Sequence, residues 1–265
     1  MPVVSPQNPQ IKYIRKLAQR KFREKEKKFL VEGSLMVAEA FSFRWPLELL
    51  VYTGEWSASK AGQKILSMAE EVNLKSLAVE KAIFKKLAAA DTPQGVLAVA
   101  RRREEELAGL LKKKPSLLLL VDAVQDPGNL GTIIRSADAA GADGVILTKG
   151  TVDPYNPKTL RATMGSLFHL PVLTASGVDG VLAQLAEAGL QLVVGDPEGK
   201  TLLSHCDFTR PTVLVIGNEA RGCSEKILQK ADQIIRIPMP GRAESLNVAM
   251  AAAIMLYEVV RQRSC

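Results

Sequence analysis

Apolar positions along the chain fall into two alternating patterns. Short continuous Val/Ile/Leu runs read as strands, and longer stretches with apolar residues three to four apart read as helices. In the first hundred residues the reading is a basic helix over 8–28 carrying Ile11, Ile14 and Leu17, then a strand at 29–33 and a helix at 34–42. A strand follows at 47–53, a helix at 58–72, and strands at 76–79 and 95–100 around a helix at 80–90. This predicts a small α/β domain over 1–100. The pattern breaks at 101–116, RRREEELAGLLKKKPS, where both charge signs crowd together and a proline closes the run, as in a linker or connecting helix.

Beyond the break the alternation is cleaner. Strands are predicted at 117–124, 144–150, 170–174, 190–195, 212–217 and 234–238. Helices are predicted at 129–140, 156–168, 178–189, 224–231 and 246–262. Strands that are apolar on both faces and alternate with helices predict a mainly parallel sheet covered on both sides. Such a sheet places ligands beyond the carboxyl ends of its strands.

Composition narrows the class. With 47% hydrophobic and 24% charged residues in 265, the chain is neither disordered nor fibrous. It lacks an uninterrupted apolar run long enough to span a membrane and a charged-then-apolar leader. Its three cysteines, Cys206, Cys223 and Cys265, are too scattered for a disulfide framework, so the expected compartment is the cytoplasm. Charge is unevenly shared: the net is +7, but 1–115 carry 22 Lys and Arg against 13 Asp and Glu, and the remainder 13 against 15. The first 28 residues hold nine basic and two acidic side chains. That pattern suits a grip on phosphates or, equally, a solubilising helix face.

Several familiar sites are excluded. No G-x-G-x-x-G follows a strand, and no G-x-S-x-G is present. GDPEGKT (195–201) has three residues between its glycines where a phosphate loop needs four, so it reads as a turn. His169, His205 and Cys206 lack zinc-ligand spacing.

Three polar segments at strand ends stand out. VDAVQDPGNLGTIIRSADAAG (121–141) places Asn129 and Arg135 in an otherwise apolar helix. VLVIGNEARGCS (213–224) puts Gly217 and Glu219 after a strand. IPMPGRAESLNVAMAAAIMLYE (237–258) puts Ser245 and Asn247 at the start of an Ala-rich helix. Each has an ordinary explanation: Asn129 as a helix cap beside a surface Arg135, a solvated Glu219 in a turn, Ser245 as a cap. Their coincidence at neighbouring ends of one sheet is what singles them out.

Together these segments resemble the SpoU-type (TrmH-like) RNA 2′-O-ribose methyltransferases of the SPOUT superfamily, in order and spacing across 117–265. VDPYNPKTLRATMGSLFHLPV (152–172) is similar to the family's intervening segment, and NPQIKYIRKLAQRKFREKEKKFLVEG with DTPQGVLAV to its substrate-binding domain. The resemblance implies an α/β trefoil-knot methyltransferase domain (117–265) behind a small α/β RNA-binding domain (1–100). It also implies S-adenosylmethionine as cofactor, RNA as substrate and a homodimer with the active site near its interface. It places Arg135 beside the ribose 2′-hydroxyl, as base or as stabiliser of the alkoxide, the former awkward for a guanidinium. Asn129 would position the ribose or Arg135, and Glu219 would orient Arg135 or RNA groups. Ser245 and Asn247 would line the same pocket. Backbone near Gly195, Gly217, Ile237, Met239 and Leu246 would hold the cofactor. Lys12, Arg15, Arg20, Lys21 and Arg23 would contact RNA phosphates. Ribosomal RNA is the preferred substrate. A transfer-RNA enzyme, a base methylase of the same superfamily and a non-catalytic RNA-binding protein are the alternatives.

Overall fold

In a computed structural model the described residues are 7–264; the opening segment and Cys265 lie outside them. The chain forms two compact units. The first begins with α1 (Pro9–Lys16) and α2 (Arg20–Glu26), followed by β1 (Lys28–Glu32), α3 (Ser34–Ser42) and β2 (Leu47–Thr53). Next come α4 (Gly54–Ser57), α5 (Lys60–Glu71), β3 (Ser76–Val79), α6 (Lys81–Lys85) and β4 (Val96–Arg101). Its four strands lie in the order β1-β4-β2-β3, antiparallel except for the parallel β2–β3 pair.

The basic stretch 8–28 is two helices, where one was expected. Asn8 caps α1 by accepting from the Gln10 N–H. At the other end the carbonyls of Leu17 and Ala18, left without helical partners, are taken by the guanidinium of Arg23 at 3.1 and 2.7 Å. Leu17, Ile11 and Ile14 are buried against Val51, Phe84 and Leu97, so the break turns α2 while α1 stays on the core. The helix expected at 80–90 is confined to α6; Glu32 accepts from the Ala89 and Ala90 N–H groups (2.7 and 3.4 Å) in the loop that replaces its second half.

The chain then enters the second unit at Glu104. The charged connector contains α7 (Leu107–Leu111), whose Leu110 is buried in that unit's core beside Leu118, Leu185 and Val213. There follow β5 (Leu117–Val121), α8 (Pro127–Ala139) and β6 (Gly144–Leu147). Residues 155–168, expected inside the second domain, group with the first unit. They comprise α9 (Pro157–Thr163) and a 3₁₀ turn (Ser166–Phe168). α9 packs on β1, and aromatic rings hold the segment: Tyr155 on Phe29 at 4.5 Å and Phe168 on Trp45 at 5.2 Å between centroids.

The second unit resumes with β7 (Val172–Thr174), α10 (Val178–Glu187), β8 (Gln191–Gly195) and β9 (Thr201–Leu202). β10 (Thr212–Ile216), α11 (Glu225–Lys230), β11 (Gln233–Arg236) and α12 (Val248–Arg263) complete it. The seven strands run β7-β6-β5-β10-β8-β11-β9, and every pairing is parallel. β5 and β10 are buried at every residue, as the apolar runs predict for central strands. After β5 the chain winds to β6 and β7 on one side. It then crosses to β8 on the other, leaving β10 to fill the centre. That reversal makes a crevice at the carboxyl ends of the central strands. β9 was not predicted; it pairs with β11 directly after the GDPEGKT turn. Among the described residues no helix is long and apolar enough to cross a membrane.

Candidate active site

Three chain segments leave the carboxyl ends of β8, β10 and β11 and close around a cavity of about 570 Å³. This lies within the roughly 300–1,000 Å³ range of small-molecule sites. Gly195, Gly217, Ile237, Met239 and Leu246, the five expected cofactor positions, all line it, as do Glu219, Ser245 and Asn247. At Gly217 a Cβ atom would sit 2.3 Å from the Gly222 carbonyl carbon, so only glycine lets these two backbone strands pass. Gly222 itself has φ +67°, a left-handed conformation that glycine adopts without strain. Asn218 stitches the loop: its amide donates to the Ala123 carbonyl (2.8 Å) and its oxygen accepts from the Ala220 and Arg221 N–H groups.

Glu219 is the hub beside this cavity. Its carboxylate accepts from the Gln125 and Asp126 N–H groups at 3.3 and 3.2 Å and from Asn129 Nδ2 at 3.1 Å. It therefore caps the approach to the 13-residue helix α8, where the helix dipole favours an anion. Burial pushes its pKa up, but the hydrogen bonds from Asn129 and the backbone outweigh that and hold the carboxyl below its ordinary value. Asn129 Oδ1 in turn accepts from Asn247 Nδ2 at 3.0 Å. Asn247 Oδ1 accepts from the Ala249 and Met250 N–H groups, capping α12. One chain of hydrogen bonds thus locks the starts of α8 and α12 to the β10 loop.

This arrangement replaces two of the ordinary explanations, the Asn129 cap and the Ser245 cap. The cap of α8 is Asp126, whose Oδ1 accepts from the Asn129 N–H at 2.7 Å, so the Asn129 side chain is free for the site. The cap of α12 is Asn247, and Ser245 is an exposed cavity residue.

Arg135 lies on another face of α8. Six residues along α8 carry it about 9 Å from Asn129 and about 240° around the helix axis. It is exposed, does not line the cavity and makes no hydrogen bond or ion pair among the described residues. Within one chain, Asn129 and Glu219 orient each other and Asn247, and neither holds Arg135. Residues that the sequence reading passed over also line the cavity. Asp196 and Pro197 come from the GDPEGKT turn, and Met255 from α12. A glycine-bearing turn at the end of a strand neighbouring Gly217 is the signal that could have pointed to Asp196 and Pro197. Among the described residues, Asp196, Glu219 and Glu244 are the only ionisable side chains lining the cavity, so its wall is acidic.

Of the five expected RNA contacts, Lys12, Arg15, Arg20 and Lys21 are exposed on α1 and α2. Arg20 pairs with Glu24 at 2.7 Å, an exposed i,i+4 pair of small value. Arg23 is 3% exposed and occupied by the Leu17 and Ala18 carbonyls, so it is a framework residue and no phosphate contact.

A parallel α/β sheet with a glycine-walled cavity and convergent polar groups at its switch point defines a domain that binds a small-molecule ligand beside a reaction centre. The chain belongs to the SpoU rRNA methylase family, whose model matches residues 116–257; the model of the MRM3-like substrate-binding domain matches 8–98. It is similar to the 23S rRNA (guanosine(2553)-2′-O)-methyltransferase RlmP of Bacillus subtilis, at 35% identity over 97% of this chain and 98% of the relative. It is also similar to the 23S rRNA (uridine(2479)-2′-O)-methyltransferase of Streptomyces viridochromogenes, at 36% identity over 93% and 87%. Among solved structures, the SpoU methyltransferase AviRb of Streptomyces viridochromogenes in complex with AdoMet superposes with a TM-score of 0.89. It shares 34% identity, and the match covers 97% of this chain and 99% of that one. The AdoMet-bound rRNA methyltransferase of Sinorhizobium meliloti gives 0.87 at 35% identity, covering 98% and 97%.

Proposed function

We propose that this protein is an S-adenosylmethionine-dependent methyltransferase acting on a ribose 2′-hydroxyl of ribosomal RNA. The observation that carries the reading is the Glu219–Asn129–Asn247 chain built onto the glycine-walled cavity. The cavity fits the cofactor: its size is right, backbone can approach closely at Gly217, and its acidic wall complements a ligand bearing a sulfonium and an ammonium. When bound, S-adenosylmethionine supplies the electrophilic methyl group. The chain's own residues do the rest. Backbone around Gly195, Gly217, Ile237, Met239 and Leu246 holds the cofactor. Asn129, kept in one orientation by Glu219 and Asn247, presents polar atoms to the ribose, and Ser245 adds a hydroxyl at the rim. Arg135 stabilises the alkoxide that forms as the 2′-hydroxyl gives up its proton to solvent water, a role its permanent charge suits better than proton abstraction.

Arg135 stands apart from the cavity within one chain, and this fits a homodimer in which it completes the site near the subunit interface. Met250, Ile254 and Tyr257, spaced i, i+4, i+7 on α12, are 51, 41 and 69% exposed, and Leu246 is 38% exposed. They form an apolar stripe suited to a second copy of the chain. We carry the trefoil knot and the cytoplasmic location as part of the same proposal. The knot is supported by three loops, from β8, β10 and β11, meeting on one cavity.

Labelled S-adenosylmethionine with unmodified bulk ribosomal RNA, and in parallel with unmodified transfer RNA, tests the reading in a filter assay, followed by nuclease digestion and mass spectrometry. Methyl on ribose is expected. Methyl on a base would overturn the reaction class, incorporation confined to transfer RNA would overturn the substrate, and tight RNA binding without incorporation would favour the non-catalytic alternative.

A further inference from the structure

The first unit holds a second cavity, of about 270 Å³, that neither the motifs nor the reaction uses. Its floor is apolar: Leu87, Leu97 and Leu160 are 5, 1 and 3% exposed, with Met36 beside them at 6%. Three cations stand on its rim, Arg15 from α1, Lys86 from the end of α6 and Arg161 from α9. All three are exposed, and none makes a hydrogen bond or ion pair among the described residues. The one carboxylate in the lining, Glu32, is already engaged by the Ala89 and Ala90 N–H groups. An apolar slot with unpaired cations around its mouth matches an unstacked nucleotide, whose flat base is apolar on both faces and whose flanking phosphates are anionic. A free phosphate would have no use for the floor. The volume falls just below that of drug-sized sites and admits one base, not a stack of several.

We propose that this cavity takes a single splayed-out nucleotide of the substrate RNA, base against Leu87 and Leu97, phosphates on Arg15, Lys86 and Arg161. The proposal rests on the RNA-methylating reading above. It also accounts for α9, since the segment 155–168, interposed in the catalytic unit's sequence, supplies one wall and one cation of the RNA site.

The test uses the full chain and in-vitro-transcribed, unmodified ribosomal RNA, with affinity measured across a potassium chloride series. Lys86→Ala and Arg161→Ala are each expected to weaken binding roughly three- to tenfold and to reduce the salt slope by about 0.7–1. Ala18→Phe, an exposed position at the mouth, is expected to weaken binding with the slope unchanged, because it blocks the slot without removing charge. Denaturant melts of the same variants should match wild type and so report an intact first unit, and S-adenosylmethionine affinity, measured by calorimetry, should also be unchanged because its cavity lies in the second unit. A short RNA oligonucleotide should shift the Leu87 and Leu97 methyl resonances of methyl-labelled protein, and inorganic phosphate should not. Wild-type RNA affinity in all three variants, or equal methyl shifts with phosphate, would overturn the cavity's role. Failure of the wild-type protein to bind any RNA would instead overturn the parent reading.

Discussion

The two units handle charge in opposite ways. In the first, cations are spread over a surface: Lys12, Arg15, Lys21, Lys86 and Arg161 stand exposed, and only some, such as Arg20 with Glu24 or Lys28 with Glu48 at 2.7 Å, are paired. In the second, a few polar groups are gathered into one connected chain, Glu219–Asn129–Asn247, against backbone that only glycine permits. A surface of separate cations binds a polyanion with a strength that sums over contacts and yields to salt. A locked network holds atoms in place for chemistry and fails as a unit. Losses should therefore be graded in the first unit and abrupt in the second.

Turnover should suffer most. Arg135→Ala should lower methyl transfer by about 10²–10³-fold while S-adenosylmethionine affinity, measured by calorimetry, stays near wild type, since Arg135 does not line the cavity. Loss of cofactor binding in that variant would join Arg135 to the cavity after all. Gly217→Ala should instead abolish cofactor binding and destabilise the fold by roughly 1–3 kcal/mol, the cost of overpacking a backbone crossing. A variant that bound cofactor normally would show that this crossing relaxes easily.

Reversing Lys12, Arg15, Arg20 and Lys21 together should reduce RNA affinity in a graded way and flatten its salt dependence, with stability in denaturant unaltered. Arg23→Gln should do the converse. It strands the Leu17 and Ala18 carbonyls, lowering stability by about 1–3 kcal/mol in denaturant melts, and leaves the salt slope as it was.

The pH dependence should be the mildest of these effects. Glu219 has a folded pKa below its unfolded one, so its contribution is complete above the ordinary carboxylate pKa and is lost as pH falls through the lower, folded value. Cofactor affinity should therefore show no Glu219-dependent step on going from about pH 7 to about pH 6 and should weaken only in the acid range. Glu219→Gln should remove that acid dependence. A step near neutrality that vanishes in Glu219→Gln would contradict the hydrogen-bonded, ionised state of the carboxylate.

Much of the architecture was legible beforehand because its cause is local. Runs such as LLLLV at 117–121 and TVLVI at 212–216 are apolar at nearly every position, and a strand covered on both faces is what uses such a run. The turn residues of DPGN and the glycines of GNEARG announced that something happens at those strand ends. What escaped the sequence reading depends on partners far along the chain. Asn129 could cap its own helix by composition; that Asp126 caps it instead, releasing the amide for Glu219 and Asn247, is set by residues 90 and 118 positions away. Arg23 had the same appearance as its exposed neighbours until the turn at 17–19 offered it two carbonyls.

Periodicity, charge and turn chemistry act over a few residues. For that reason the amino-acid order alone sufficed for the alternation of strands and helices, the division into a basic and a near-neutral part, and the three segments that face one crevice. Three outcomes needed the folded chain: that 155–168 leave the catalytic unit to wall a cavity in the other, that Asp196 joins the glycine-walled cavity, and that Asn129 meets Glu219 and Asn247. They turn on which apolar and hydrogen-bonding surfaces meet in space, a free-energy choice among distant segments that no short stretch of sequence encodes.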